Sequence, residues 1–186
     1  MTKEEKVDRA INSNQENPAK KCEENVKPSL ALGHWSFVIF FYLFDLLSKR
    51  WIVTTFEPYS TIQVIPRWFN LVYVVNTGAA FGSFKDSNTL FILISGITFL
   101  ALVIAQARGA FQDRWSKMGV TLLLAGILGN LTDRLLYKHV IDFIEFDLHV
   151  RFANPWYTFN VADSCICVAV GLFILSSILE EKRAKA

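Results

Sequence analysis

Two aspartates, Asp142 and Asp163, stand at the edges of apolar stretches, with Asn130, Asp133, Arg134 and Asn160 around them. A charged side chain at membrane depth is costly unless it is paired or wetted, so each is a candidate for function. One carboxylate could serve packing alone. A cluster on one side of a membrane points to chemistry. Two carboxylates brought close cannot both ionise easily, so they titrate as a pair, one protonated and one charged. The charged one can take a proton from a water that attacks a peptide carbonyl. The protonated one can give its hydrogen to the carbonyl oxygen and later help the amine leave. This aspartic-peptidase chemistry needs no metal, cofactor or nucleophilic side chain.

The neighbouring residues fall at helical spacings. Asp45 and Lys49 are four apart with the acid first, the favourable order for an ion pair. Such a pair would pin one helix to its neighbours. Direct catalysis by Lys49 with Ser48 is the alternative, and it is a poor one because adjacent residues on a helix diverge. Asn130, Asp133 and Arg134 share one helical face. Arg134 could fix Asp133, steer Asp163, or bind a substrate carbonyl or a lipid phosphate, and Asp133 could simply clasp helices together. Asn160 and Asp163 open a helix, where an acid is favoured by the helix dipole alone. That explanation does not cover Asp142.

The elements that must position these groups are mostly apolar. Of 186 residues, 52% are hydrophobic and 14% aromatic, above the usual share for a soluble domain. A net charge of +2 gives no footprint for nucleic acid. Cys22, Cys165 and Cys167 make neither a disulfide framework nor a metal spacing. Neither HExxH nor GxSxG is present, and His34, His139 and His149 are scattered. Residues 1–33 differ. They mix Lys, Arg, Asp and Glu, contain no aromatic residue, and read as a disordered polar tail rather than a secretory signal.

Four segments meet the length of about 20 largely apolar residues that crosses a bilayer. They are 34–53, 89–107, 118–137 and 160–179. Asp45, Lys49 and Arg50 lie late in the first and Asp133 and Arg134 late in the third, where snorkelling and interfacial water lower the cost. Placing both termini inside puts twelve of the 19 Lys and Arg residues inside, the favoured sense. Asp45, Lys49, Asn130, Asp133, Arg134, Asn160 and Asp163 then converge near the outer leaflet. The two outer loops bring Asn76 and Asp142 to them. The second span, without charge at its outer end, contributes least.

In the first outer loop, residues 62–65 and 69–75 read as two short strands. The small-residue run 76–82 follows, in which Gly78 and Gly82 permit close backbone approach to a ligand. Residues 139–146 alternate imperfectly and could form a third strand beside them. The fold class is thus an α-helical membrane protein of four spans with a small β cradle in the outer loops. Residues 34–180 make the peptidase domain and 181–186 a basic end.

At these residues the chain resembles the bacterial lipoprotein signal peptidases, or signal peptidase II. Five ordered blocks carry the resemblance: Asp45-Leu46-Leu47-Ser48-Lys49, Asn76-Thr77-Gly78-Ala79-Ala80-Phe81-Gly82, Gly129-Asn130-Leu131-Thr132-Asp133-Arg134, Val140-Ile141-Asp142-Phe143, and Phe159-Asn160-Val161-Ala162-Asp163-Ser164. The resemblance implies Asp142 and Asp163 as catalytic acids. It implies that Asn76, Gly78, Asn130, Arg134, Asn160 and Asp133 bind substrate or support the site, and that Asp45 and Lys49 form a structural pair. It implies a multi-pass enzyme of the bacterial cytoplasmic membrane with both termini cytoplasmic. Its substrates would be diacylglyceryl-modified prolipoproteins, cut just before the lipidated cysteine, with membrane lipid as a partner and globomycin-type cyclic peptides as inhibitors. The chain departs from the pattern at Ala125-Gly126, where Gly-Gly is common, and at Lys138-His139, where glycine is often found; the polar tail is longer than usual. Two other classes remain: a proton-coupled transporter using the same acids, and a scaffold whose polar clusters only hold helices together. Transporters usually place acids near the midplane and carry repeats, and no repeat is evident.

Overall fold

The computed structural model describes residues 28–78, 87–147 and 158–185, with side chains from residue 33 onward. The tail to residue 27, Cys22, the run 79–82 and His149 lie outside them. The chain divides into two units, at Gly33/His34, and the second, His34–Ala186, carries every side chain of the site described below. Among the described residues the elements are α1 (Pro28–Thr55), β1 (Thr61–Ile65), β2 (Phe69–Asn76), α2 (Asn88–Ala107), α3 (Arg114–Tyr137), β3 (Val140–Phe146) and α4 (Val161–Ala184).

Helix ends follow capping chemistry more than hydropathy. α1 starts at Pro28, inside the stretch whose composition reads as disordered, because proline suits a first helical position. α3 starts four residues before the apolar run, because Asp113 caps it by accepting from the N–H groups of Trp115 (2.8 Å) and Ser116 (3.2 Å). The other oxygen of Asp113 accepts from Ser176 Oγ at 2.7 Å, which ties α4 to that end of α3. α4 runs past residue 179 through Glu180, Glu181, Lys182 and Arg183, all good helix formers.

α2, α3 and α4 are each long and apolar enough to cross a membrane. α2 buries no residue at all, and Leu93, Ile94, Ile97 and Leu100 are exposed along it. A helix apolar all round and exposed along much of its surface is suited to lipid. α1 has 28 residues and carries Asp45, Lys49 and Arg50 in its second half.

Two apolar clusters hold the unit together. Val38 of α1 packs with Val120, Leu124 and Ala125 of α3, backed by Phe99 of α2 and Phe173 of α4. Ile52 and Phe56 pack with Ile141 and Phe143 of β3 and so join the end of α1 to the sheet. Between α3 and α4 the backbones approach so closely that side chains do not fit. A Cβ on Gly126 would lie 2.5 Å from the Ala162 carbonyl oxygen. One on Gly129 would lie 2.4 Å from Asp45 Oδ2 and 3.0 Å from Ala162 Cβ. Small residues at such a seam are the usual means of helix contact in membranes. Gly129→Ala is therefore expected to cost about 1–3 kcal/mol by overpacking, read as a lower unfolding midpoint in detergent, and to lower activity by displacing Asp45.

The three strands form one antiparallel sheet in the order β1-β2-β3. β3 is buried at Val140, Ile141, Asp142 and Phe143 in succession, which accounts for its imperfect alternation. Val74 pairs with Asp142 and Asn76 with Val140. Asn76, two residues beyond Val74, thus shares the face of Asp142 as its diagonal neighbour.

Candidate active site

One turn of α1 places Asp45 and Lys49 on a single face, and their side chains pair at 2.8 Å. Lys49 also pairs with Asp133 of α3 at 2.9 Å and donates to Asn130 Oδ1 at 3.1 Å. Lys49, Asp45 and Asp133 are all buried, so the ammonium group compensates two acids at once. Each acid spends a second oxygen contact on positioning. Asp45 Oδ1 accepts from the Ala162 N–H at 2.8 Å, one of the open donors in the first turn of α4. Asp133 Oδ2 accepts from the Ile141 N–H at 3.1 Å and so holds β3 next to Asp142.

Asn160 caps α4 and lies between the two candidate acids. Its side-chain oxygen accepts from the Asp163 N–H (2.9 Å), and Asp163 Oδ2 accepts from the Asn160 N–H (3.2 Å), a reciprocal capping box. Its Nδ2 donates to Asp142 Oδ1 at 2.8 Å. The second oxygen of each acid is held by another asparagine: Asn130 Nδ2 donates to Asp163 Oδ1 at 2.8 Å, and Asn76 Nδ2 to Asp142 Oδ2 at 2.9 Å. Both carboxylates are thereby oriented by neutral amides, which fix geometry without neutralising charge.

Asp142 is 2% exposed. Burial above all, then the neighbouring charge of Asp163, pushes its carboxyl up to about 7, against the pull of Asn76, Asn160 and Lys49. A group that titrates near neutrality can both hold and release a proton under working conditions.

Arg134 completes the ring. Its Nη2 donates to the Gly78 carbonyl oxygen at 2.9 Å, and the Gly78 N–H donates to Asn76 Oδ1 at 3.0 Å. Asp45, Lys49, Asn76, Gly78, Asn130, Asp133, Arg134, Asp142, Asn160 and Asp163 thus belong to one continuous network at one end of the helices.

The signal peptidase (SPase) II family model matches residues 37–179, most of the chain and all five blocks that carry the site. The chain belongs to the signal peptidase II family. A lipoprotein signal peptidase of Shewanella pealeana is 37% identical over 166 residues, which cover 87% of this chain and 94% of that protein. One from a Nostoc species is 38% identical over 144 residues, or 77% of this chain and 86% of that one. Among solved structures, a bacterial membrane enzyme determined in meso at 2.3 Å resolution matches with a TM-score of 0.74 and 31% identity, covering 83% of this chain and 92% of that chain. A second, at 1.9 Å resolution, matches with a TM-score of 0.69 and 32% identity, covering 77% and 91%.

As a signal peptidase II the chain is a membrane protease, and the network can be weighed as such. Ser48 Oγ donates to the Asp45 carbonyl oxygen at 2.8 Å and makes no hydrogen bond to Lys49 among the described residues. Among the described residues Arg134 makes no ion pair with Asp133 or Asp163, and its Nη2 donates to a backbone carbonyl. The Lys49–Asp133 pair joins residues 84 positions apart, and no local spacing could have signalled it. α2 contributes more than its missing charges suggest. Asn88 Nδ2 donates to the Arg134 carbonyl oxygen at 3.1 Å, and the Phe91 ring lies 4.3 Å beneath the Arg134 guanidinium. A polar residue opening an otherwise uncharged span was the available signal.

Proposed function

We propose that this peptidase is an aspartic endopeptidase that removes the signal peptide of diacylglyceryl-modified prolipoproteins, cutting just before the lipidated cysteine. The observation that carries the reading is the pair Asp142 and Asp163, each hydrogen-bonded to Asn160. Asp163 accepts two N–H bonds, from the Asn130 side chain and the Asn160 main chain, which aim its carboxyl group. Asp142, with its carboxyl near 7, holds the proton. Asp163 takes a proton from water, whose oxygen adds to the scissile carbonyl carbon while Asp142 protonates the carbonyl oxygen. Collapse of the tetrahedral intermediate breaks the C–N bond as Asp163 passes the proton it took from water to the departing amine, and a hydroxyl of the intermediate returns a proton to Asp142. The products are a free carboxylate and the amine of the cysteine. Arg134 Nη1, which has no hydrogen-bond partner among the described residues, is the donor for a substrate carbonyl. Asn76, Gly78 and Asn130 line the peptide's path, and the Asp45–Lys49 pair supports it.

In this reading α1 is a fourth span, since its buried charges, Asp45 and Lys49, sit in its second half and are paired. Residues 34–180 form the peptidase domain between a polar tail, 1–33, and a basic end, 181–186. Both termini face the cytoplasm, and the site lies near the outer leaflet of the bacterial inner membrane. The acids sit at one end of the helices, which favours hydrolysis over proton-coupled transport. Globomycin-type cyclic peptides fit the same site as inhibitors.

Two expected results test this. The exposed apolar faces of α2 and α4 leave room for acyl chains beside the acids, so an unlipidated precursor is cut at least about tenfold more slowly than the diacylglyceryl form; equal rates would defeat the reading. Cleavage also declines as pH rises through about 7, because Asp142 loses the proton it must donate. A rate still climbing at pH 9 would exclude it as the acid.

A further inference from the structure

The charged groups of the site come from α1, α3, β3 and α4, yet Arg134 is also supported from α2. Its first residue, Asn88, donates to the main-chain oxygen of Arg134 and so ties α2 to the last turn of α3. Since a carbonyl can only accept, this bond fixes which end of the Asn88 amide faces Arg134. One turn on, the Phe91 ring faces the guanidinium at 4.3 Å. Arg134 is buried, and among the described residues its Nη1 lacks a hydrogen-bond partner while Nη2 donates to the Gly78 carbonyl oxygen. The direction of that bond therefore depends on the ring on which the guanidinium rests. From Gly78 the contacts run on without a break: Gly78 N–H to Asn76 Oδ1 at 3.0 Å, and Asn76 Nδ2 to Asp142 Oδ2 at 2.9 Å. An amide has one oxygen and one nitrogen, so the side of Asn76 that Gly78 holds decides the side that meets Asp142.

We infer that Asn88 and Phe91 of α2 are positioning residues for Asp142, acting through Arg134, Gly78 and Asn76. This rests on the reading of Asp142 as one of the two reacting acids. The other charged groups acting on Asp142 are Lys49 from α1, Arg134 from α3 and Asp163 from α4; Asp133 of α3 bonds the neighbouring Ile141 N–H, and Asn76, the hydrogen-bonding neighbour from β2, is neutral. A loosened relay weakens the Asn76 bond, which favours the ionised form of Asp142. The declining limb of the pH profile, which Asp142 governs, then moves to higher pH.

The test uses the full chain in lipid or detergent micelles and a synthetic diacylglyceryl-cysteine precursor. Phe91→Leu, which keeps bulk but removes the ring face, is expected to lower kcat about tenfold with KM within about twofold, and to move that limb up by about half a pH unit. Asn88→Ala should act in the same direction, and Phe91→Trp should restore the wild-type profile. Asn76→Ala should reproduce the shift, and Phe91→Leu added to it should move the limb no further. A lower kcat with an unmoved limb, or a further shift on the Asn76→Ala background, overturns the relay. Phe91→Leu carries the test alone should Asn88→Ala not fold. Asp142→Asn is run alongside: if it still cleaves, the two-acid reading has failed, whereas an inactive Asp142→Asn beside an unmoved Phe91→Leu profile sinks this inference alone.

Discussion

Asp163→Asn lowers cleavage of a diacylglyceryl-modified precursor by about 10³-fold or more and leaves the protein folded and inserted. Asn keeps the size of Asp and one accepting oxygen, so the capping box with Asn160 survives in part. What goes is the proton-accepting carboxylate. Cells making this variant accumulate lipid-modified precursor that is never cut. Asp142→Asn gives the same loss by removing the proton donor. The two differ from packing variants in stability. The folded chain holds the Asp142 carboxyl at about 7, above its ordinary 3.8, and so binds that proton more tightly than the unfolded chain does. The stability this contributes is fully present below 3.8 and is lost as pH rises through about 7. Asp142→Asn carries no such titration, so its unfolding midpoint gains on the wild type between pH 4 and pH 7. If both Asp→Asn proteins keep wild-type turnover, the acids are structural and the mechanism fails.

Lys49→Met destabilises the protein by about 3–5 kcal/mol, because it leaves Asp45 and Asp133 buried without a cation. The loss is read as a fall in the unfolding midpoint in detergent and as reduced accumulation in membranes. Adding Asp45→Asn and Asp133→Asn removes the stranded charges and recovers much of the stability, though not activity. The Ala162 and Ile141 N–H groups would still find an amide oxygen, but Lys49 would no longer hold Asn130 against Asp163. A Lys49→Met protein as stable as the wild type would show that the ammonium group compensates neither acid.

Much of this arrangement was legible in the residues. The apolar stretches marked α2, α3 and α4, since a bilayer demands length and hydropathy that a sequence displays openly. β-branched and aromatic runs marked β1 and β2, and a weaker alternation marked β3. The helical spacing of Asp45 with Lys49, and of Asn130 with Asp133 and Arg134, put those side chains on common faces before any coordinates. Their gathering with Asp142, Asn160 and Asp163 at one end followed from the order of the spans.

Other features were not legible. The start of α3 depended on the Asp113 cap, which hydropathy does not register. Gly126 and Gly129 are ordinary glycines until Ala162 and Asp45 are found against them. Partner choice was hidden too: Arg134 faced several acids within reach of its spacing, and it binds a carbonyl of the β2 turn. α2 looked inert because its contributions, Asn88 and Phe91, carry no charge. The sequence by itself determined which chemistry-bearing groups exist, on which helical faces, and at which end of the spans. Tertiary structure alone decided which amide meets which carboxyl oxygen, because those bonds join residues up to 117 positions apart and form only when four helices and a sheet edge have packed.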